Sequence, residues 1–282
     1  MSTFGDSTRI GTNISALQSL QSLNRVNNQI QQNQLQLSTG KRINSASDDA
    51  SGFAIAKKIS SRIEGMSQAM NNVADARSVL DIAEGGMSAV SDVITQIKSK
   101  LVQGANGNLG DTERGFIKGQ IGALLGEIDE IAASTTYQGI ELLGGYSATF
   151  QTGEASGNTV GVTIAEINAE ELLGDTITDF LDSLVVSDES SFNDRLDDLD
   201  SAIDTLSTQF NNLGVVQNQL SIREENLSQS IIANSAAKSR IEDADFAKVQ
   251  SESIRLQILQ QTTTNAFTVA NTSPQAVLGF LN

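Results

Sequence analysis

Apolar residues recur in this chain at steps of three and four. In the C-terminal half, Leu196, Leu199, Ile203, Leu206, Phe210, Leu213, Gln217, Leu220, Glu224, Leu227 and Ile231 keep strict alternation, and nine of these eleven positions are apolar. A mean repeat of about 3.5 residues holds one seam toward a partner helix, so the stretch predicts a coiled coil. A second seam runs Ala76, Leu80, Ala83, Met87, Val90, Ile94, Ile97, Leu101. Upstream, Ile59, Ile63, Met66, Met70 and Val73 continue it, with one short step from Val73 to Ala76 that predicts local overwinding. Ile117, Ile121, Leu124, Ile128 and Ile131 form a third, shorter series. Asn106-Gly107, with Gly104 and Gly110 nearby, predicts the break between the second and third helices.

The middle changes character. Seven glycines fall between Tyr137 and Asp175, and the segments SATFQTG and NTVGVTI alternate like short strands around a Gly/Ser turn. A small β-hairpin region is expected at about 140–190, with helical spacing restored by Phe192. The predicted fold is therefore mainly α: long antiparallel helices and coiled coil formed by both chain ends, around a small β-hairpin.

Both ends are almost free of charge. Between Ile10 and Gly40 the one charged side chain is Arg25, and from Leu256 to Asn282 there is none. Chain ends are normally polar and frayed, whereas these carry large apolar residues at helical spacing among Gln, Asn, Ser and Thr. The two ends most simply pair with each other, antiparallel. A lone helical pair leaves half its surface uncovered, while ordering each residue costs ~1–2 kcal/mol. The isolated ends are thus expected to be largely disordered and to fold on association. Leu256, Leu259, Phe267, Val277 and Leu281 are the candidate interface positions there.

Composition then removes function classes. With no His and no Cys among 282 residues, Ser-His-Asp and Cys-His catalysis, His- or Cys-liganded zinc and disulfides are excluded. Aromatics make up 4% with no Trp, and Pro274 is the single proline, which suits long helices packed by aliphatic side chains. The formal charge of −16 is concentrated: Asp111 to Phe210 holds 20 acids against Arg114, Lys118 and Arg195, a net −17. Phosphates would be repelled, so no nucleic-acid partner is expected. No run is long enough for a membrane span, and MSTFGDSTRIG lacks the basic and apolar regions of a secretory signal, so any exit from the cell takes another route.

Local motifs point to no chemistry. Gly40-Lys41 lacks the upstream glycine of a phosphate loop, since Leu35 stands there, and no Ser or Thr follows the lysine. Asp197-Asp198-Leu199-Asp200 lacks a calcium-loop glycine and falls on a continuous heptad. Glu224-Glu225 shows no second carboxyl in a separable environment. No enzyme activity and no cofactor are expected. Asn44 or Ser45 is placed to cap a following helix, with Asp48 and Asp49 near its positive end. Arg240, Glu242 and Asp243 are the natural opposite-charge partners across the antiparallel pair.

Five separated segments resemble bacterial flagellin, in that family's order: LSTGKRINSASDDASGFAIAKKI, TTYQGIELL, NNLGVVQNQL, SAAKSRIEDADFA and the C-terminal LQILQQTTTNAFTVANTSPQAVLGFLN. The resemblance covers almost the whole chain and implies a structural subunit that self-assembles into the flagellar filament for swimming, outside the cell. It implies export, unfolded, through the flagellum's type III channel. Residues 1–43 with 243–282 would form the inner tube, and 44–242 the outer tube. Only about 50 residues lie between Ile140 and Phe192, which implies a core-only form without large variable domains. Other subunits, an export chaperone, the filament cap and hook-junction proteins are the implied partners. Arg42, Ile43, Asn44, Asp48, Asp49, Arg240, Glu242 and Asp243 are implied in contacts between neighbouring subunits. A zinc-protease insert, carried by some flagellins, is excluded by the absence of His. A hook–filament junction protein shares the terminal helices but diverges more in the C-terminal half; a soluble coiled-coil scaffold would have solvated, charged ends.

The family pattern also bears on animal immunity. Flagellins well detected by the animal flagellin-sensing receptor carry an Arg, a Leu four residues on, and a Glu on the next helix. Without gaps through VQGANG those positions fall on Gln96, Lys100 and Gln120. Loss of an Arg anchor and a Lys in place of Leu predict weak recognition.

Overall fold

A computed structural model describes residues 12–279, with side chains described as far as Thr272. The chain divides into two compact units, Met1–Ser61 with Ala233–Asn282, and Arg62–Ile232. Helices dominate: α1 (Ile14–Thr39), α2 (Ala50–Gly104), α3 (Asp111–Ser134), α7 (Leu196–Glu242) and α8 (Phe246–Gly279).

In the unit Arg62–Ile232 the α2 seam is buried from Met66 to Leu101. Its rhythm differs from the predicted one in a single place. Buried positions run Met66, Ala69, Val73, Ala76, Leu80 and onward to Leu101 in unbroken alternation, with Val79 and Val93 buried beside that seam, while Met70 is only partly buried. The short step therefore lies upstream, at Ile63–Met66–Ala69, and not at Val73–Ala76. Size explains the misreading: Met70 offers more apolar surface than Ala69, but the seam takes the smaller side chain. On α7, Leu199, Leu206, Leu213, Leu220 and Leu227 share one heptad position and all are buried. Leu196, Ile203, Phe210 and Ile231 flank them, partly buried. The polar intruders at Gln217 and Glu224 are met by polar side chains of α2. Gln217 Nε2 donates to Asp81 Oδ1 and Glu84 Oε2 at 3.3 and 2.8 Å, and Glu224 pairs with Arg77 at 2.6 Å.

α3 buries Ile117, Ile121, Leu125, Ile128 and Ala132. Leu124 and Ile131, expected in the seam, are partly buried: Ile128 keeps its place while the adjacent Leu125 and Ala132 take the other two buried positions. That same face also buries Arg114, which periodicity of apolar residues alone does not reveal.

The predicted hairpin is present as β3 (Ser147–Gln151) and β4 (Thr159–Thr163), antiparallel, with Phe150 opposite Val160. Val160 and Val162 of β4 face the core while their neighbours face out, the alternation of a half-buried strand. Two features of the middle depart from the expectation. β1 (Thr136–Tyr137) and β2 (Ile140–Glu141) form a second hairpin whose turn residues Gln138 and Gly139 both have positive φ, 51° and 81°, as a tight two-residue connection requires. And the stretch expected to be β up to about 190 contains three short helices, α4 (Ala169–Leu173), α5 (Ile177–Ser183) and α6 (Glu189–Asp194). Their starts were legible as caps: Asn168, Thr176 and Asp188 each accept a backbone N–H of the first turn. Helices this short show too few turns for apolar periodicity to emerge. Phe180, Phe192 and Leu172 bury them against the common core.

Candidate assembly surface

The unit of the chain ends is built on α1 packed antiparallel with α8. Amide side chains join the two helices: Asn13 Nδ2 donates to the Ala270 carbonyl at 2.7 Å, Asn33 Nδ2 to Val249 O at 3.1 Å, and Gln260 Nε2 to Asn27 Oδ1 at 2.8 Å. Gly40 ends α1 in the left-handed conformation, φ 70°, and its N–H returns to Gln36 O. The chain then pairs briefly with the return segment before α8. Arg42 N–H donates to Glu242 O at 2.7 Å, Ala244 N–H to Gly40 O at 2.9 Å, and Lys41 lies opposite Asp243 as an antiparallel bridge.

Charges in this turn are arranged differently from the simple cross-pairing of Arg42, Asp48 and Asp49 with Arg240, Glu242 and Asp243. Glu242 pairs with Lys41 Nζ at 2.7 Å and stands 3.8 Å from Lys238 Nζ. Arg42 Nη2 donates to the Ile241 carbonyl at 2.6 Å. Asp48 Oδ2 accepts the N–H groups of Asn44 and Ser45, both at 3.0 Å. Those two N–H groups, first Asn44 and then Ser45, hold its carboxyl below the ordinary carboxylate range. The cap of α2 is Asp49, whose Oδ1 accepts from Ser51 and Gly52 N–H. Asn44 and Ser45 lie too far upstream of Ala50 to serve, and Asn44 Nδ2 is turned to the Lys41 carbonyl instead. Ile43 is fully buried as the turn's apolar anchor, and Gly52 leaves room beside it, since a Cβ there would lie 2.4 Å from Asp49 Oδ2 and 2.7 Å from Ile43 Cδ1 and would make those side-chain ends shift. Arg240 and Asp243 are exposed.

Only one face of α1 and α8 is used inside the chain, with Ile14, Leu23, Ile30, Leu37 and Val249 half-buried along it. Ala16, Val26 and Leu256 are buried, and Phe267 is half-buried. Leu17, Leu20, Leu35, Ile254, Ile258, Leu259 and Val269 are exposed, Ile258 at 61% and Val269 at 67%. Scattered exposed Leu is ordinary, but a helical pair whose charges are confined to Arg25, Lys248, Glu252 and Arg255, with apolar residues along its outside, is surface fitted for association. Of the remaining candidate positions, the Val277 side chain and Leu281 lie outside the described residues.

In the other unit, Gln96 and Lys100 of α2 and Gln120 of α3 line one shallow groove of about 620 Å³ together with Val93, Leu124 and Glu127. Gln96 and Gln120 are exposed and Lys100 is half-buried. Among the described residues, no group of three or more carboxylates is arranged to hold a metal ion, and no helix is long and apolar enough to cross a membrane. Asp198 and Asp200 are ion-paired, with Arg195 and Lys98.

Comparison with known proteins agrees with this arrangement. Residues 10–148 match the bacterial flagellin N-terminal helical region and residues 196–281 the bacterial flagellin C-terminal helical region. Flagellin of Bacillus subtilis (strain 168) is 33% identical over 97% of this chain and 99% of its own length. The flagellar filament 33 kDa core protein of Treponema phagedenis is 34% identical over 96% of this chain and 99% of its own. Among solved structures, a flagellar hook-associated protein of Vibrio parahaemolyticus superimposes with a TM-score of 0.60, covering 70% of this chain and all of that one, at 16% identity, a likeness of fold alone. With both helical regions matched in order around a short hairpin-bearing middle, and full-length relatives at a third identity, the chain belongs to the bacterial flagellin family.

Proposed function

We infer that the chain is a structural subunit of the bacterial flagellar filament, acting in swimming motility as one repeat of an extracellular polymer. The observation that carries this reading is the charge-poor pair of α1 and α8, on whose outside Leu17, Leu20, Leu35, Ile254, Ile258, Leu259 and Val269 remain exposed. Copies of the same pair are the partners that fit such a surface, since it brings few charges that must be desolvated: Arg25 on α1, and Lys248, Glu252 and Arg255 on α8, the last two paired with each other. Residues 1–43 and 243–282 would line the inner tube and 44–242 the outer tube. The turn holding Arg42, Ile43, Asn44, Asp48, Asp49, Arg240, Glu242 and Asp243 would then face neighbouring subunits. Leu256 and Phe267 act within the helical pair, and Leu259 on its outside. The role is mechanical, without catalysis. Export by the flagellar type III route, a chaperone, the filament cap and hook-junction proteins complete the reading.

Removing Leu256 to Asn282 tests it. Unit Arg62–Ile232 of the truncated protein is expected to melt as in the full chain, while filament growth is abolished. Long normal filaments from the truncated protein would overturn the reading. The groove at Gln96, Lys100 and Gln120 supports a second expectation, that the monomer is a weak agonist of the animal flagellin-sensing receptor. A reporter assay matching a strongly detected flagellin would refute it, and a gain of response on Gln96→Arg with Lys100→Leu would support it.

A further inference from the structure

We propose that Asn106 is a site of spontaneous self-modification, at which the chain converts asparagine to isoaspartate and the buried Arg114 directs the product. Asn106-Gly107 is the one Asn-Gly pair in the sequence. It lies in the loop between α2 and α3, and both residues are exposed. Gly107 has nothing within 4 Å of where a Cβ would stand, and among the described residues its N–H donates no hydrogen bond. Asn106 Oδ1 accepts the Asn108 N–H at 3.1 Å, which folds the side chain back along the loop and polarises its carbonyl.

The chemistry needs water alone. The Gly107 amide loses its proton to solvent and its nitrogen attacks Asn106 Cγ. The Cγ–Nδ2 bond breaks, ammonia leaves with protons drawn from water, and a five-membered imide remains. Glycine favours the step because no side chain obstructs the approach of the amide. Water then adds to one of the two imide carbonyls. Attack at the former side-chain carbonyl gives aspartate. Attack at the main-chain carbonyl breaks that carbon's bond to the Gly107 nitrogen and gives isoaspartate, with a free α-carboxylate.

Arg114 distinguishes the two carbonyls. Its guanidinium is 4% exposed and donates through Nη2 to the Asn106 main-chain oxygen at 3.2 Å, with Leu109 N–H on the same oxygen at 3.2 Å. Nε holds the Gly104 carbonyl at 3.1 Å, and Nη1 the Val186 carbonyl at 3.3 Å, so the guanidinium is fixed in place. Its ion-pair partner Glu189 stands at 3.4 Å. A fixed donor on that oxygen stabilises the negative charge developing there as water adds. When the ring opens, the same oxygen belongs to a carboxylate already seated on an arginine. The aspartate route places its charge on the exposed side-chain oxygen, which a neutral donor, the Asn108 N–H, holds in place of a guanidinium.

The test incubates the full chain at mildly alkaline pH and maps its peptides by mass spectrometry with fragmentation that separates isoaspartate from aspartate. The references are a synthetic peptide of residues 101–113, which lacks Arg114, and the full chain held in urea. Expected is conversion at residue 106, with the isoaspartate-to-aspartate ratio in the folded chain raised roughly threefold to tenfold over both references, the preference one ordinary hydrogen bond confers on one of two competing carbonyls. Arg114→Gln, checked for folding by circular dichroism, should return the ratio to that of the peptide, and Gly107→Ala should slow conversion with Arg114 in place. The urea arm keeps the comparison decisive if Arg114→Gln does not fold. An unmodified Asn106 after the peptide has largely converted, or equal ratios in the folded chain, the peptide and urea, would overturn the proposal.

Discussion

Replacing Ile254 and Ile258 together by Gln separates folding of the chain from its assembly. The two residues lie one helical turn apart on α8 and share a face, and they are 52% and 61% exposed in the single chain. Gln is at least as good a helix former as Ile and adds no charge, so the helix itself loses nothing. Full burial of an Ile side chain is worth ~1.5–3 kcal/mol. About half of each side chain is still available to a neighbour, so covering both on assembly contributes about 2–3 kcal/mol per subunit. At tenfold for every ~1.4 kcal/mol, the critical concentration for polymerisation should rise roughly 30- to 150-fold. Sedimentation of filaments from a concentration series measures it, seeded with preformed fragments so that growth and not nucleation is read. Thermal melting of the dilute double variant should stay within ~0.5 kcal/mol of the parent, as for other exposed substitutions. An unchanged critical concentration would refute the assignment of this face to subunit contact. A lowered melting temperature in the dilute protein would show instead that the residues hold the single chain together.

Three further outcomes are expected. Gly104→Ala would place a Cβ 2.4 Å from the ring of the fully buried Phe192, and overpacking there should cost ~1–3 kcal/mol of unfolding free energy, partly recovered by adding Phe192→Leu; an unchanged melting temperature counts against the contact. Because the Asp48 carboxyl is held below its ordinary value near 3.8, its support of the Asn44–Asp48 turn is complete above that value and disappears as pH falls through the lower folded one; amide exchange at Asn44 and Ser45 should accelerate there, and Asp48→Asn should show no such step. Polymerisation should accelerate between ~10 and ~300 mM salt as screening shortens repulsion between the acidic segments of adjoining subunits to about 10 Å at 0.1 M, and a flat or falling rate by light scattering would remove those segments from the lattice surface.

The sequence by itself determined the long helices, the seam on α7, the break at Asn106-Gly107 and the β3–β4 hairpin, because each repeats a short local rule several times over. Five leucines seven residues apart need no knowledge of the partner helix to be placed on its face. The uncharged ends were equally plain, since absence of charge over 27 residues at the C-terminus is independent of fold. Tertiary structure decided what depends on a neighbour. Ala69 takes the seam in place of Met70 because the space between packed helices selects by size. Arg114 is buried because two carbonyls at the end of α2, those of Gly104 and Asn106, converge on it with that of Val186, 72 residues away, and apolar periodicity cannot register a charged residue held by backbone carbonyls. The Glu242 carboxylate pairs with Lys41 and Lys238 while the Arg42 guanidinium turns to the Ile241 carbonyl, because backbone pairing of the two turns sets which side chains can reach each other. Sequence fixes what a segment prefers when its reasons lie within a turn or two; packing decides every choice whose competing partners are brought together only by the fold.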